Sequence, residues 1–191
     1  MLRFDPAAHR YWLDGTELVS VTRALKDAGL VNADWFSEAA RLRGTHVHEA
    51  CAMLDDGELE SVDPSYAPYV AAYESFLRDA KPEWAFIEHR VCDPRLGYAG
   101  TLDRAGFLNG RWALIDLKTG GEATWHGPQT AAYARLVPHG SGLKPDRFAL
   151  YLRGDGTYRL CPLTERKDEA VFLAALTLSQ FRSTPCAHLT R

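Results

Sequence analysis

Apolar and polar positions follow two rhythms along this chain, one helical and one alternating. Tyr11-Trp12-Leu13 and Glu17-Leu18-Val19 flank Asp14-Gly15. Asp-Gly supplies the positive-φ residues of a tight turn, so a short hairpin is expected there. Ser20 is placed to cap a short helix running through Asp27, which Gly29 ends. The pattern then predicts a longer helix over about residues 35–54, stopped by Asp55-Asp56-Gly57. A further helix starts after Pro64 or Pro68 and ends near Pro82, with Tyr69, Tyr73, Phe76 and Leu77 on its apolar stripe.

The middle of the chain changes to strand-like sequence. Residues 84–92 are rich in aromatic and branched side chains, and residues 98–108 and 111–119 follow, joined by Asn109-Gly110. Asn-Gly between two such runs is a strong hairpin signal. Gly120-Gly121 breaks the last strand, and residues 124–137 can be helical after Pro128. Residues 147–153 and 157–163 form a second hairpin around Asp155-Gly156, and a final helix over about residues 165–182 buries Val171, Phe172, Ala175, Leu176 and Leu178. Helices, a three-strand meander, a helix, two strands and a helix make a mixed α/β order. No repeat, low-complexity tract or Gly/Ser-rich linker interrupts it.

Composition narrows the function. The chain has 191 residues, 46% hydrophobic and 25% charged, an ordinary globular mixture. Lys and Arg number 22 against 25 Asp and Glu, for a net charge of −3. Nucleic-acid binding by bulk charge is disfavoured, because there is no positive excess to release counterions with. Such binding would need locally arranged charge or a bound cation. The N-terminal residues lack the apolar run of a signal peptide, and no segment is apolar enough to span a membrane, so a cytoplasmic location is expected. Cys51, Cys92, Cys161 and Cys186 lack metal-binding spacing and read as reduced, mostly buried thiols.

The chemistry concentrates in the meander. A two-residue loop at Asn109-Gly110 places Leu108 opposite Arg111, and counting back along both strands places Asp103 opposite Asp116. Their Cβ atoms would then be about 4.5–5.5 Å apart, where like charges oppose each other. Lys118 lies two residues beyond Asp116 on the same face, paired across with Thr101. Two carboxylates and an ammonium project together beside Gly100 and Gly120, where backbone can approach a ligand. Paired carboxylates suit a hard divalent cation, which polarises phosphoryl oxygens and acidifies bound water. The alternative is a charged cluster on a solvated sheet face. The apolar flanks Trp112-Ala113-Leu114-Ile115 and Leu117 instead indicate a strand buried on both faces, where unpartnered carboxylates are costly.

Two helical pairs accompany this set. Gly44 and His48 share one face of the long helix, so Gly44 permits close approach and His48 can serve as a further metal ligand. His46 points about 160° away from His48 and reads as structural. Gln129 and Tyr133 also share a face and can meet a phosphate or a base, although helix amphipathicity explains the pair equally well.

Together Gly44…His48, Gly100-Thr101-Leu102-Asp103, Asp116-Leu117-Lys118 and Gln129…Tyr133 resemble the PD-(D/E)XK nuclease superfamily, in its RecB-type exonuclease branch of phage and mitochondrial genome maintenance exonucleases. The resemblance covers about residues 40–137, and Ser20-Val21-Thr22 also looks like the phage members. It implies a restriction-endonuclease-like α/β core, a central mixed sheet flanked by helices, with an N-terminal hairpin and helical elaboration. One nuclease domain would occupy residues 1–191, its core about residues 40–163. By the same resemblance, His48, Asp103, Asp116 and the Leu117 backbone carbonyl bind Mg²⁺ or Mn²⁺, and Lys118 positions the attacking water. Glu88 matches an upstream acidic position that binds a second metal or positions Lys118, with a strand-end surface role as its alternative. Gln129, Tyr133 and Gly44 meet the DNA strand, and Thr119 hydrogen-bonds near the metal.

The cysteines do not fit the iron–sulfur layout of several relatives, so no cluster is expected. The length leaves no room for a helicase, implying a nuclease module acting alone, as a homo-oligomer or with separate proteins of recombination or repair. The implied activity is a metal-dependent DNA exonuclease in a bacterial or phage-infected cell. A structure- or site-specific endonuclease and a non-catalytic nucleic-acid-binding module are the alternatives. Arg41, Arg43, Arg90, Arg95 and Arg104 can supply strand contacts once bound cations neutralise the acidic cluster.

Overall fold

The computed structural model describes residues 1–32, 37–137 and 144–183. The chain begins with a three-strand meander, β1 (Leu2–Asp5), β2 (Arg10–Leu13) and β3 (Thr16–Ser20). Asp14 and Gly15 both take positive φ, the tight turn expected between β2 and β3. β1 is an additional strand, pairing Phe4 with Tyr11. The Ser20 hydroxyl accepts from Arg23 N at 3.1 Å and caps α1 (Val21–Asp27), and Gly29 follows at φ +74°.

α2 (Glu38–Asp55) is capped by Ser37, and the first residues of the helix expected from residue 35 lie outside the described residues. α3 (Ala67–Ala80) buries Val70, Ala72, Tyr73 and Phe76, while Tyr69 and Leu77 are only partly covered. The central meander is β4 (Glu83–Asp93), β5 (Tyr98–Leu108) and β6 (Arg111–Lys118). α4 (His126–Ala134) begins two residues before Pro128, since a proline in the first turn removes no helical hydrogen bond. β7 (Asp146–Leu152), β8 (Tyr158–Pro162) and α5 (Asp168–Ser183) complete the described chain.

Among the described residues, all the strands join one mixed eight-stranded sheet, in the order β1-β2-β3-β5-β6-β7-β8, with β4 also paired to β5. β3 runs parallel to β5 and β6 parallel to β7, with α4 in the β6–β7 crossover. One face carries α1, α4 and α5, whose Leu25, Ala132 and Phe172 pack with Leu114 and Leu102. The other carries α2 and α3, whose Val47, Tyr73 and Phe76 pack with Ala113, Ile115 and Leu117. Leu114 and Ile115 therefore face opposite layers, and β6 is covered on both sides as its apolar sequence requires. The α/β class, flanked mixed sheet and N-terminal hairpin are those expected of the restriction-endonuclease-like core. No helix among the described residues is long and apolar enough to cross a membrane.

β5 has an unusual edge. β4 follows nearly its whole length on one side. The other edge is shared: β3 takes Tyr98 and Ala99, and β6 takes Arg104 to Leu108. Gly100 to Asp103 lie in the notch between them. The expected register holds from Leu108–Arg111 to Arg104–Ile115. It ends one pair before Asp103–Asp116, so Thr101 does not face Lys118 across a ladder. Instead Lys118 aligns with Tyr151 of β7, and Thr101 meets the Tyr11 hydroxyl at 2.9 Å.

Burial of α4 has a consequence for acid stability. His126 is 2% exposed and its Nδ1 is 2.8 Å from the Tyr151 hydroxyl. Burial, aided by the Lys118 charge, pushes its pKa down to about 3. Below the ordinary histidine value of about 6.5 the unfolded chain takes up a proton that the folded chain refuses. This contribution to stability is therefore fully present above pH 6.5 and is lost as pH falls towards about 3. Urea denaturation across that window is expected to show a slope of up to about 1.4 kcal/mol per pH unit. The His126→Gln variant should lack it; an unchanged slope would place the acid sensitivity elsewhere.

Candidate metal centre and its cleft

The notch in the sheet brings together side chains from both helical layers. Asp103 stands at its end, where its Oδ2 accepts from Leu117 N at 2.7 Å. The carboxylate thus takes the amide that the interrupted ladder leaves free, and ties β5 to β6 as the two strands part. From α2, His48 reaches the same point: its Nε2 lies 3.1 Å from the Leu117 carbonyl oxygen, and its Nδ1 is 3.6 Å from Asp103 Oδ1.

Glu88 arrives from β4, with its Oε1 3.7 Å from His48 Nδ1. Its φ is +44°, in the middle of a strand. Left-handed backbone at a non-glycine residue costs about 1–3 kcal/mol and persists where surroundings hold it. Here the holder is Arg104, whose Nη1 donates to Glu88 Oε1 at 3.0 Å and to the Asp103 carbonyl at 2.7 Å. The ligand atoms of His48, Glu88 and Asp103 all lie within 4.8 Å of one another.

Asp116 and Lys118 face the α4 layer beside this cluster. They form an ion pair, and Lys118 Nζ also donates to Gln129 Oε1 at 3.0 Å and lies 5.1 Å from the centre of the Trp125 ring. Gln129 and Tyr133 are both nearly buried on α4. A Cβ on Gly100 would come within 2.5 Å of Tyr133 Cε1. The close approach at Gly100 is therefore made by the Tyr133 ring rather than by a ligand. At Gly44 an added Cβ would find only Thr119 Oγ1 within 4 Å, at 3.8 Å, so packing does not demand glycine there. Glycine inside a helix costs about 1 kcal/mol relative to alanine, and this one lines the cleft. Thr119 lies beside Gly44, its carbonyl accepting from Arg43 Nη2 at 3.2 Å.

The charges are mutually adjusted. Burial disfavours the His48 cation, but the Asp103 carboxylate, with the hydrogen bond and charge of Glu88, outweighs it and lifts the pKa to about 9. Asp103 is raised above the usual carboxylate range by burial, with Glu88 adding to the rise against His48. Asp116 is raised by burial and by Asp103, although Lys118 opposes both. For both carboxylates burial is the largest cause, so the bare charge is disfavoured where they stand.

Arg104 corrects the sequence reading. It is fully buried and cannot contact a DNA strand. Its Nε donates to Asp55 Oδ2 at 2.6 Å and contacts the Tyr73 hydroxyl at 3.2 Å. Asp55 also accepts from Tyr73 and from Trp84 Nε1. No local pattern marks this network: Asp55 sits in a helix-stopping Asp-Asp-Gly and Arg104 directly follows the motif aspartate. Arg41, Arg90 and Arg95 are exposed, as strand contacts require. Cys51 is buried, while Cys92 and Cys161 are only half-buried; Cys186 lies outside the described residues.

These groups open into a cavity of about 630 Å³ whose floor includes His48, Glu88 and Asp103 and whose sides include Gln129 and Tyr133. No family model matches the sequence, and no curated protein matches it. Among solved structures, the chain is similar to SSO0001, with 16% identity, 87% of this chain and 77% of that one covered, and a TM-score of 0.46. It is also similar to the alkaline exonuclease LHK-Exo from Laribacter hongkongensis, at 12% identity over 86% of this chain and 87% of that one, with a TM-score of 0.42. The same exonuclease in complex with dAMP gives 13% identity, the same coverage and the same TM-score.

Proposed function

We propose that this chain is a nuclease of the PD-(D/E)XK superfamily, in the RecB-type exonuclease branch, that hydrolyses phosphodiester bonds of DNA from strand ends with Mg²⁺ or Mn²⁺. The observation that carries the reading is the convergence of His48, Glu88 and Asp103 within 4.8 Å beside the Asp116–Lys118 pair. Two carboxylates and an imidazole at one point form a donor set for a hard or borderline divalent ion, and Mn²⁺ tolerates the nitrogen ligand better than Mg²⁺. Burial disfavours the bare charge of Asp103 and Asp116, and such an ion would offset that cost. The residues fit the group.

His48, Glu88 and Asp103 would hold the ion, with Asp116 and the Leu117 carbonyl at the margin of the same site. Bound there, the cation supplies polarisation of a phosphoryl oxygen and acidification of water. His48 serves as a ligand only in its neutral form, so loading the site releases a proton from it. Lys118, fixed between Asp116, Gln129 and Trp125, can hold the attacking water and stabilise charge on the phosphorus centre. Gln129 and Tyr133 border the path of the strand, and Gly44 leaves it room.

The test uses single- and double-stranded DNA labelled at the 5′ or the 3′ end, together with covalently closed circles. With Mg²⁺ or Mn²⁺, linear strands are expected to shorten progressively while circles persist, and chelation should stop the reaction. Cleavage of circles would replace the exonuclease reading with an endonuclease. Binding without cleavage in either metal would leave a nucleic-acid-binding module.

A further inference from the structure

The N-terminal meander enters the cavity and has no part in the metal centre. Phe4, Pro6, His9 and Tyr11 form one wall of the space that His48, Glu88 and Asp103 floor. Tyr11 is 1% exposed, and its hydroxyl bond to Thr101 at 2.9 Å fixes it to the notch, two residues from Asp103. Phe4 lies over Tyr11 with ring centres 4.6 Å apart and a 30° tilt. His9 meets the Phe4 ring edge-on at 5.3 Å. Phe4 is half-buried and His9 exposed, so the outer part of this aromatic stack remains open.

The turn that carries His9 is held rigidly. Asp5 Oδ1 accepts from Ala7 N at 2.9 Å and from Ala8 N at 3.2 Å. His9 itself stands at φ +49°. A left-handed non-glycine residue is unfavourable by about 1–2 kcal/mol, and the turn places it beside the catalytic cleft. Arg90, exposed on β4, brings its guanidinium to 5.1 Å from the Phe4 ring centre. Aromatic faces next to a guanidinium are the two elements that single-strand readers combine, one for bases and one for phosphates.

We infer that the exposed His9 ring, braced at right angles by Phe4, forms a stacking platform for an unpaired nucleobase of the DNA strand, next to the scissile phosphate, with Arg90 on the neighbouring phosphate. A paired base in a duplex has both faces covered by its neighbours, so the platform selects single-stranded or frayed DNA. The inference rests on the nuclease reading above and adds the part of the substrate that the metal centre does not recognise.

The experiment uses the full chain carrying Lys118→Ala, in which cleavage is expected to be strongly reduced, and single-stranded oligonucleotides with 2-aminopurine scanned along the sequence. At one position fluorescence should fall on binding, as stacking quenches the probe. Phe4→Leu, which keeps the apolar packing on Tyr11 but not the ring, combined with His9→Ala, should restore the fluorescence and weaken binding by roughly tenfold or more. Phe4→Tyr should behave as the parent. With an abasic nucleotide at that position, parent and variant should bind alike. Quenching and affinity unchanged in the Phe4→Leu/His9→Ala variant would overturn the platform while leaving the nuclease reading intact. A wild-type chain that neither binds nor cleaves DNA would overturn both.

Discussion

Replacing Lys118 with alanine is expected to lower metal-dependent DNA cleavage by about 10²–10⁴-fold, the range for removing a positioned general acid–base group. The geometry makes the loss specific. The side chain is 15% exposed, and its ammonium is paired with Asp116, bonded to Gln129 Oε1 at 3.0 Å and seated over Trp125. It is therefore held in one place, and water near the metal centre meets a fixed charge rather than a mobile one. DNA affinity should change little, because strand contacts come from other residues. The variant also leaves Asp116 buried without its cation, so folding must be separated from chemistry. Urea denaturation reports the first, and single-turnover cleavage of end-labelled DNA with saturating Mg²⁺ or Mn²⁺ reports the second. Cleavage at the wild-type rate by Lys118→Ala would remove Lys118 from the mechanism.

Arg104→Met should destabilise the fold by about 3–5 kcal/mol, because it breaks a buried ion pair and leaves a carboxylate uncompensated. Arg104 is fully buried and Asp55 nearly so. Burial already raises the Asp55 pKa above its ordinary value despite Arg104 and its hydrogen bonds. Without the guanidinium, Tyr73 and Trp84 alone would solvate that carboxylate. Combining Arg104→Met with Asp55→Asn should recover much of the stability, since removing both charges costs less than stranding one. Urea midpoints of the two single variants and the double variant measure the coupling. Additive effects would show that Arg104 and Asp55 do not support each other. Because Arg104 also holds Glu88 against its left-handed backbone, the variant should bind Mn²⁺ more weakly by calorimetry.

Glu88 and Arg104 illustrate the boundary between sequence and structure. Glu88 can be marked as acidic and upstream of the motif strand, but its conformation depends on an arginine sixteen residues later. Arg104 reads as one more surface arginine until β5 is placed between the two helical layers. Gly100 signals close approach without saying that the Tyr133 ring, from α4, is what approaches. Tyr11 lies outside the motifs and Thr101 only between the glycine and aspartate of one, and they meet only because β3 docks parallel to β5.

What the sequence determined by itself is what neighbouring residues can settle. Asp14-Gly15 and Asn109-Gly110 set their hairpins through positive φ, Ser20 starts a helix through its hydroxyl, and the loop length at Asn109-Gly110 sets the register as far as Arg104–Ile115. The alternation along β6 likewise commits Ile115 and Leu117 to one layer and Asp116 and Lys118 to the other. Tertiary structure alone decided where that register stops. β6 leaves β5 to follow β7, and the vacated edge becomes the notch in which Asp103, Glu88 and His48 converge. That choice is a competition between strand partners far apart in the chain, made by burial on both faces of the sheet, and no local propensity encodes its outcome.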